Sequence, residues 1–319
     1  MCALASRLQG EMHDSTPWLE FDISQFTPWR VMAIRHRVHE HPLLTIKNLV
    51  ALGARLEDHC QVRTHSKAAT AGTSFNDAPR LHPNRKSAVD TLSDVENADA
   101  WMSLLNIQTD QEYRSLVDTV LDEVKPKVEQ ADPGMSYRAG WIFVTSPHAV
   151  TPFHMDKEHN FILQVMGRKR LYVWPPDDTV AVSEAARDLF HHRHDRALIK
   201  WRDQLRERAL VFDLEPGMGA YMPSTSPHLV ENGDGASITA SFTYYTNATR
   251  RNSLLHALNN RLRSAGLDPP PVGSRSLRDS ILFSAVNAVL GARSLVRRSI
   301  GQGHQVKSTT TRYAMHRFS

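Results

Sequence analysis

Cysteine is nearly absent: Cys2 and Cys60 are the only two in 319 residues. That excludes a disulfide framework and a cysteine-rich zinc module. Long apolar runs are missing as well, since no stretch approaches the ~18–20 consecutive apolar residues that span a bilayer. The opening MCALASRLQGEMHD is interrupted by Arg7, Gln9 and Glu11, too early for the ~7–15-residue apolar core of a secretory signal. No internal repeat is found. Hydrophobic residues at 41% and charged residues at 23% are ordinary for a soluble globular chain. These features read as a cytoplasmic enzyme or binding protein.

What is present is an uneven charge. From Arg250 onward twelve Lys or Arg stand against two acids, Asp268 and Asp279, whereas the first 249 residues hold 26 basic and 32 acidic side chains. A basic tail on an acidic body docks on that body or on a second copy, or binds an anion. Nucleic acid is the less favoured partner, because Phe283 is the one aromatic among the arginines before Tyr313 and Phe318.

Periodicity divides the chain in three: a helical N-terminal region over 1–130, a strand-rich core over 131–249 and a basic helical extension over 250–319. Residues 1–60 read as mainly helical with loops, with Leu44, Leu49, Leu52 and Leu56 near one face of Leu43–His59. His65–Ser93 reads as a long loop. Ala100–Gln130 reads as a helix through Leu104, Leu116, Val120, Leu121 and Val124. Runs rich in Val, Ile, Phe, Tyr and Thr then follow at Gly140–Val150, Asn160–Val173, Ala209–Phe212, Gly219–Met222 and Ser237–Tyr245. Turn clusters separate them, which suggests an antiparallel sandwich or small barrel. Ser183–Arg208 interrupts as a polar helical excursion, and its His191-His192-Arg193-His194 tract reads as a solvated face. The late helix Leu277–Val296 carries an apolar stripe of Leu277, Ile281, Ala285 and Val289. That stripe needs a covering surface, and a symmetric homodimer is the economical one.

The chemistry concentrates after Thr151. His154 and Asp156 are two apart, so a strand turns both to one side. A second imidazole would complete two His and one carboxylate on one face of a metal, a set that suits non-haem Fe(II). His228, between a strand ending at Pro223 and the strand Ile238–Tyr245, is the candidate. His159 has the wrong parity and turns away. Lys169, on the run Leu163–Trp174, faces opposite to Arg168 and Arg170. It reads equally as a surface lysine or as a buried ammonium awaiting a carboxylated cosubstrate.

The segment resembles the JmjC (cupin-like) branch of the Fe(II)- and 2-oxoglutarate-dependent oxygenases, which includes the asparaginyl hydroxylase of hypoxia-inducible factor and its bacterial relatives. The likeness rests on Thr151-Pro152-x-His154-x-Asp156, Asn160-Phe161, Gln164, Gly167, Lys169-Arg170 and Pro175-Pro176. A distal part matches through Gly217-x-x-x-Tyr221-x-Pro223, His228 and Ile238-Thr239. It implies an all-β double-stranded β-helix core (jelly roll) with flanking helices. It implies His154, Asp156 and His228 as iron ligands and Lys169 and Thr151 on the distal carboxylate of 2-oxoglutarate. Asn160 would then contact the cosubstrate near the metal, while Ser241 stands where the asparaginyl hydroxylase has a second asparagine. The implied activity is hydroxylation of a C–H bond, or demethylation through it, on a protein side chain or small molecule, with O2 consumed and succinate released. A cupin-like metal-binding regulatory or binding module without turnover is the alternative.

Overall fold

A computed structural model describes residues 16–300, with side chains to residue 289. The opening segment, Tyr313 and Phe318 lie outside the described residues.

Strand parity fixes the layers. In β7 (His159–Met166), Phe161, Leu163 and Val165 enter one core, while Ile162 enters another and shares its side of the strand with Asn160 and Gln164. β7 is therefore covered on both faces. It sits inside an eight-stranded antiparallel sheet that pairs β1 (Leu19–Glu20), β2 (Met32–His36), β10 (Met218–Met222), β7, β12 (Ser237–Tyr245), β5 (Ser136–Thr145), β4 (Ala100–Leu104) and β3 (Val62–Ser66), in that order. A four-stranded sheet faces it, ordered β6 (Val150–His154), β11 (His228–Asn232), β8 (Lys169–Val173) and β9 (Leu210–Leu214). This is the expected all-β jelly-roll core.

Helices cover the outside. α1 (Ile46–Asp58) buries Leu49, Leu52 and Leu56, and α4 (Gln111–Ala131) buries Leu116, Val120 and Val124, in one core with Ile142, Phe161 and Phe242 of the large sheet. The short helices α2 (Ala78–Leu81) and α3 (Ala88–Ser93) lie between β3 and β4. α5 (Glu184–Arg193) covers the small sheet, where Phe190 shares a core with Phe153, Trp174 and Leu229. α6 (Asn247–Ser264) packs on α5, and α7 (Ser276–Ile300) packs on α6. Between the sheets the core is thin: Ile162, Leu171, Val173, Leu214, Ala220 and Met222.

Several expectations are corrected. The N-terminal region is not only helices and loops, because β1 to β4 all join the large sheet. Leu104 ends a strand, and α4 starts only at Gln111. The cause is that all of Ala100–Leu104 is buried, so the alternation that marks a strand is missing. The stretch read as a loop contains α2 and α3. The run Leu163–Trp174 is two strands in different sheets, parted at Gly167, whose φ of +71° suits glycine. The histidine tract is a solvated face only in part: Arg193 and His194 are exposed, whereas His191 is buried and stacks on His256 at 4.6 Å between centroids, and His192 Nδ1 accepts from Asn260 at 2.6 Å.

Candidate metal centre

β6 and β11 lie side by side with His154 directly opposite His228. Opposed residues of an antiparallel pair share a face, so both imidazoles emerge on the inner side, 4.1 Å apart between ring centroids. Asp156 follows β6 by two residues. Its Oδ2 lies 3.6 Å from His154 Nε2 and 3.8 Å from His228 Nε2. These separations are too long for hydrogen bonds; they are spacings around a common point. All three ligating atoms fall within 4.8 Å of one another.

The rest of each side chain is held from behind. His154 Nδ1 is 2.8 Å from the Pro152 carbonyl and His228 Nδ1 is 3.1 Å from that of Ser226. A carbonyl only accepts, so each Nδ1 carries the proton and each Nε2 keeps its lone pair toward the common point. Burial, then the neighbouring His154, pushes His228 down to about 3, which keeps it neutral. Asp156 divides its oxygens, since Oδ1 accepts from Arg196 Nη2 at 2.9 Å. Burial acts to raise the Asp156 carboxyl, but His154, Arg196 and His228 together hold it well below the usual carboxylate range. Phe75 stacks on His154 at 3.9 Å and 10°, and Arg196 lies over the Phe75 and Phe190 rings at 5.0 and 4.7 Å. The arrangement is a preformed facial set of two imidazoles and one ionised carboxylate oxygen, which suits a divalent transition metal.

The remaining expected residues line the same interior. On β8, Val173, Leu171 and Lys169 oppose His228, Val230 and Asn232 of β11. Lys169 therefore shares the face of His228 and lies deeper in the barrel. It is 5% exposed, burial pushes its pKa down to about 7, and Nζ makes no ion pair or hydrogen bond among the described residues. Its neighbours face outward, Arg168 to Glu215 at 3.1 Å and Arg170 to Asp213 at 2.6 Å. Lys169 is thus buried and not an ordinary surface lysine.

Thr151 is three residues before His154, which simple alternation would send to the opposite side. A bulge corrects this: His228 and Val230, two apart on β11, oppose His154 and Thr151, three apart on β6. Thr151 Oγ1 accepts from Trp101 Nε1 of the large sheet at 2.7 Å. Across the barrel, Asn160 Oδ1 accepts from Ser241 Oγ at 2.7 Å. Asp156, Glu158, Asn160, Met222, Ser226 and His228 border one narrow recess. His159, as parity requires, points away, with Nδ1 2.7 Å from the Tyr221 hydroxyl.

Sequence reasoning missed three residues here. Glu158 lies on the bend between β6 and β7 and borders the same recess as Asp156 and Asn160. Phe75 and Arg196 carried no local signal. A second group, Glu184, Asp188 and His256, also has its ligand-type atoms within 4.8 Å of one another. Its Asp188 is already bound to His256 Nδ1 at 2.7 Å and to Arg263 Nε at 2.9 Å, and it serves to pin α5 to α6.

A family model described as a cupin-like domain matches residues 47–250. A zebrafish (Danio rerio) protein named HSPB1-associated protein 1 homolog is 30% identical over 119 residues, covering 34% of this chain and 26% of that protein. The chain thus spans about a quarter of that relative's length. Among solved structures, YcfD, a ribosomal oxygenase from Escherichia coli in complex with cobalt and 2-oxoglutarate, aligns at 14% identity and TM-score 0.44, covering 84% of this chain and 65% of that one. The DMSP lyase DddQ from Ruegeria pomeroyi aligns at 13% identity and TM-score 0.23, over 34% of this chain and 38% of that one.

Proposed function

This chain belongs to the cupin-like domain family, and on that premise we propose that it is an Fe(II)- and 2-oxoglutarate-dependent oxygenase. It hydroxylates a C–H bond of a protein side chain or small molecule, a hydroxylation that in an N-methyl group amounts to demethylation. The observation that carries this reading is the convergence of His154 Nε2, His228 Nε2 and Asp156 Oδ2, with each Nδ1 already occupied by a carbonyl. Such a donor set fits iron, so His154, Asp156 and His228 would hold it. Iron, when bound, supplies O2 activation coupled to decarboxylation of 2-oxoglutarate to succinate and CO2.

The protein's own part is orientation and exclusion of water. Lys169 is the partner for the distal carboxylate of 2-oxoglutarate, and Thr151, on the same inner face, adds a hydroxyl. Asn160 stands beside the triad with its amide oxygen fixed by Ser241, which gives Ser241 an orienting role. No side chain is assigned as a general base, because a C–H oxidation needs none. Lys169 also weighs against a binding module without turnover. A buried, unpaired ammonium is costly, and a dianionic cosubstrate removes that cost.

The test is direct. Purified protein should bind one Fe(II) and convert 2-oxoglutarate slowly to succinate without a substrate, and Asp156→Ala should abolish the conversion. Undiminished conversion in that variant removes the triad assignment.

We also read the protein as a cytoplasmic homodimer. Among the described residues no helix is long and apolar enough to cross a membrane. On α7, Leu277, Ile281 and Val289 are 75%, 61% and 53% exposed, leaving an apolar stripe for a second copy.

A further inference from the structure

The two halves of the metal centre meet in one short segment. Ser224, Thr225 and Ser226 join β10 to β11 between Pro223 and Pro227, just before His228. Thr225 N donates to the Asp156 carbonyl at 2.8 Å, and Ser224 Oγ donates to that of Lys157 at 2.6 Å. From the same segment the Ser226 carbonyl accepts from His228 Nδ1. Three residues thus tie the main chain at Asp156 to the ring of His228.

This tie is strained. Thr225 has a φ of +64°, and it is the one β-branched residue with left-handed backbone among the described residues. A branched Cβ makes that conformation an outlier, because Cβ crowds the neighbouring carbonyl oxygen, and it persists only where surrounding structure imposes it. Arg187 of α5 is placed to impose it. Its Nη1 donates to the Thr225 carbonyl at 3.1 Å, and its Nη2 donates to that of Asp178, in the connection from β8, at 3.2 Å. Arg187 is 3% exposed, and its ion pair with Glu184 is long, at 3.9 Å. Burying a guanidinium is costly, and here the charge is spent on two main-chain carbonyls. Were Thr225 to relax into the extended region, its N–H would turn from Asp156 and the Ser226 carbonyl would turn from His228.

We propose that Arg187 and Thr225 are positioning residues of the metal centre: Arg187 locks Thr225 in the left-handed conformation, and that conformation sets the gap between His228 Nε2 and Asp156 Oδ2. Neither residue touches the metal or the cosubstrate. The assignment rests on the triad of the oxygenase reading and adds what holds two of its ligands in register.

The experiment is a double-mutant cycle on the full chain, with Mn(II) affinity read from the electron paramagnetic resonance of the free ion. Arg187→Met should weaken Mn(II) binding about tenfold, the population cost of left-handed backbone at a residue with a Cβ. Glycine takes that conformation freely. In a Thr225→Gly background the same Arg187→Met change should therefore cost about twofold or less. An arginine that merely braces α5 would cost the same in both backgrounds. The strain has its own readout: Thr225→Asn, which tolerates left-handed backbone, should raise the Tm of the metal-free protein. If Arg187→Met does not fold, Arg187→Lys carries the same cycle, since one ammonium replaces a two-pronged fork. Equal losses in the two backgrounds, or a Tm that Thr225→Asn does not raise, overturn the proposal. A parent protein that binds no Mn(II) refutes the triad and this assignment with it. Coupling in the cycle without any succinate release by the Fe(II) protein refutes the oxygenase reading alone and leaves the two positioning residues standing.

Discussion

Lys169 is the residue whose surroundings restrict the chemistry most. It is a primary amine on the inner face of the barrel, 5% exposed, with a pKa pushed down to about 7 by burial. A bound dianion restores its charge, so cosubstrate affinity is coupled to a proton. Below pH 7 the amine is already charged and affinity should be flat. As pH rises through 7, binding must take up a proton, and affinity should fall by up to about tenfold per unit. Lys169→Ala should weaken 2-oxoglutarate binding about 10- to 150-fold, by loss of one charge-assisted contact. It should also remove the pH dependence while leaving metal binding intact. Calorimetric titration of 2-oxoglutarate into the Mn(II) protein at pH 6, 7 and 8 checks both points. Lost metal with unchanged cosubstrate affinity would make the lysine structural.

At the scale of elements, the site depends on how β6, β7 and β8 are joined. The bulge in β6 turns Thr151 to the side of His154. The corner at Gly167 carries the chain from the large sheet to the small one within two residues and starts β8 with Lys169 facing inward. A Cβ at Gly167 would meet the Ala236 carbonyl oxygen, and the φ of +71° adds strain. Gly167→Ala should therefore cost on the order of 1–3 kcal/mol, a drop in Tm of roughly 3 °C or more by thermal denaturation. Gly235→Ala is the control, since nothing lies within 4 Å of its added Cβ. Equal shifts in the two variants would show that the corner does not require glycine.

For the whole molecule, the helices distribute the apolar surface unevenly. α1 and α4 bury their apolar faces on the large sheet, and α5 is covered by the small sheet and α6. α7 turns Leu282, Phe283 and Val286 inward but leaves Leu277, Ile281 and Val289 exposed. Light scattering at micromolar concentration should give twice the 36.0 kDa of the chain. The double change Ile281→Asp/Val289→Asp should return it to one chain, and a monomeric parent protein would remove the homodimer.

The sequence by itself determined a strand-rich sandwich or small barrel, the His154-x-Asp156 pair and the outward turn of His159, because side-chain alternation along a strand is a local property with period two. The strand β4 was not open to that argument, since it is buried on both faces and carries no alternation. Only the tertiary structure decided that His228 stands opposite His154, that a bulge brings Thr151 to their side and that Lys169 is buried. Each of these depends on which strands pair and in what register. It alone placed Phe75 on His154 and Arg196 on Asp156, 40 residues away in the chain. A guanidinium bridging that distance leaves no spacing in the sequence, because the loops between set no period, and the contact exists only once α5 has packed on the small sheet.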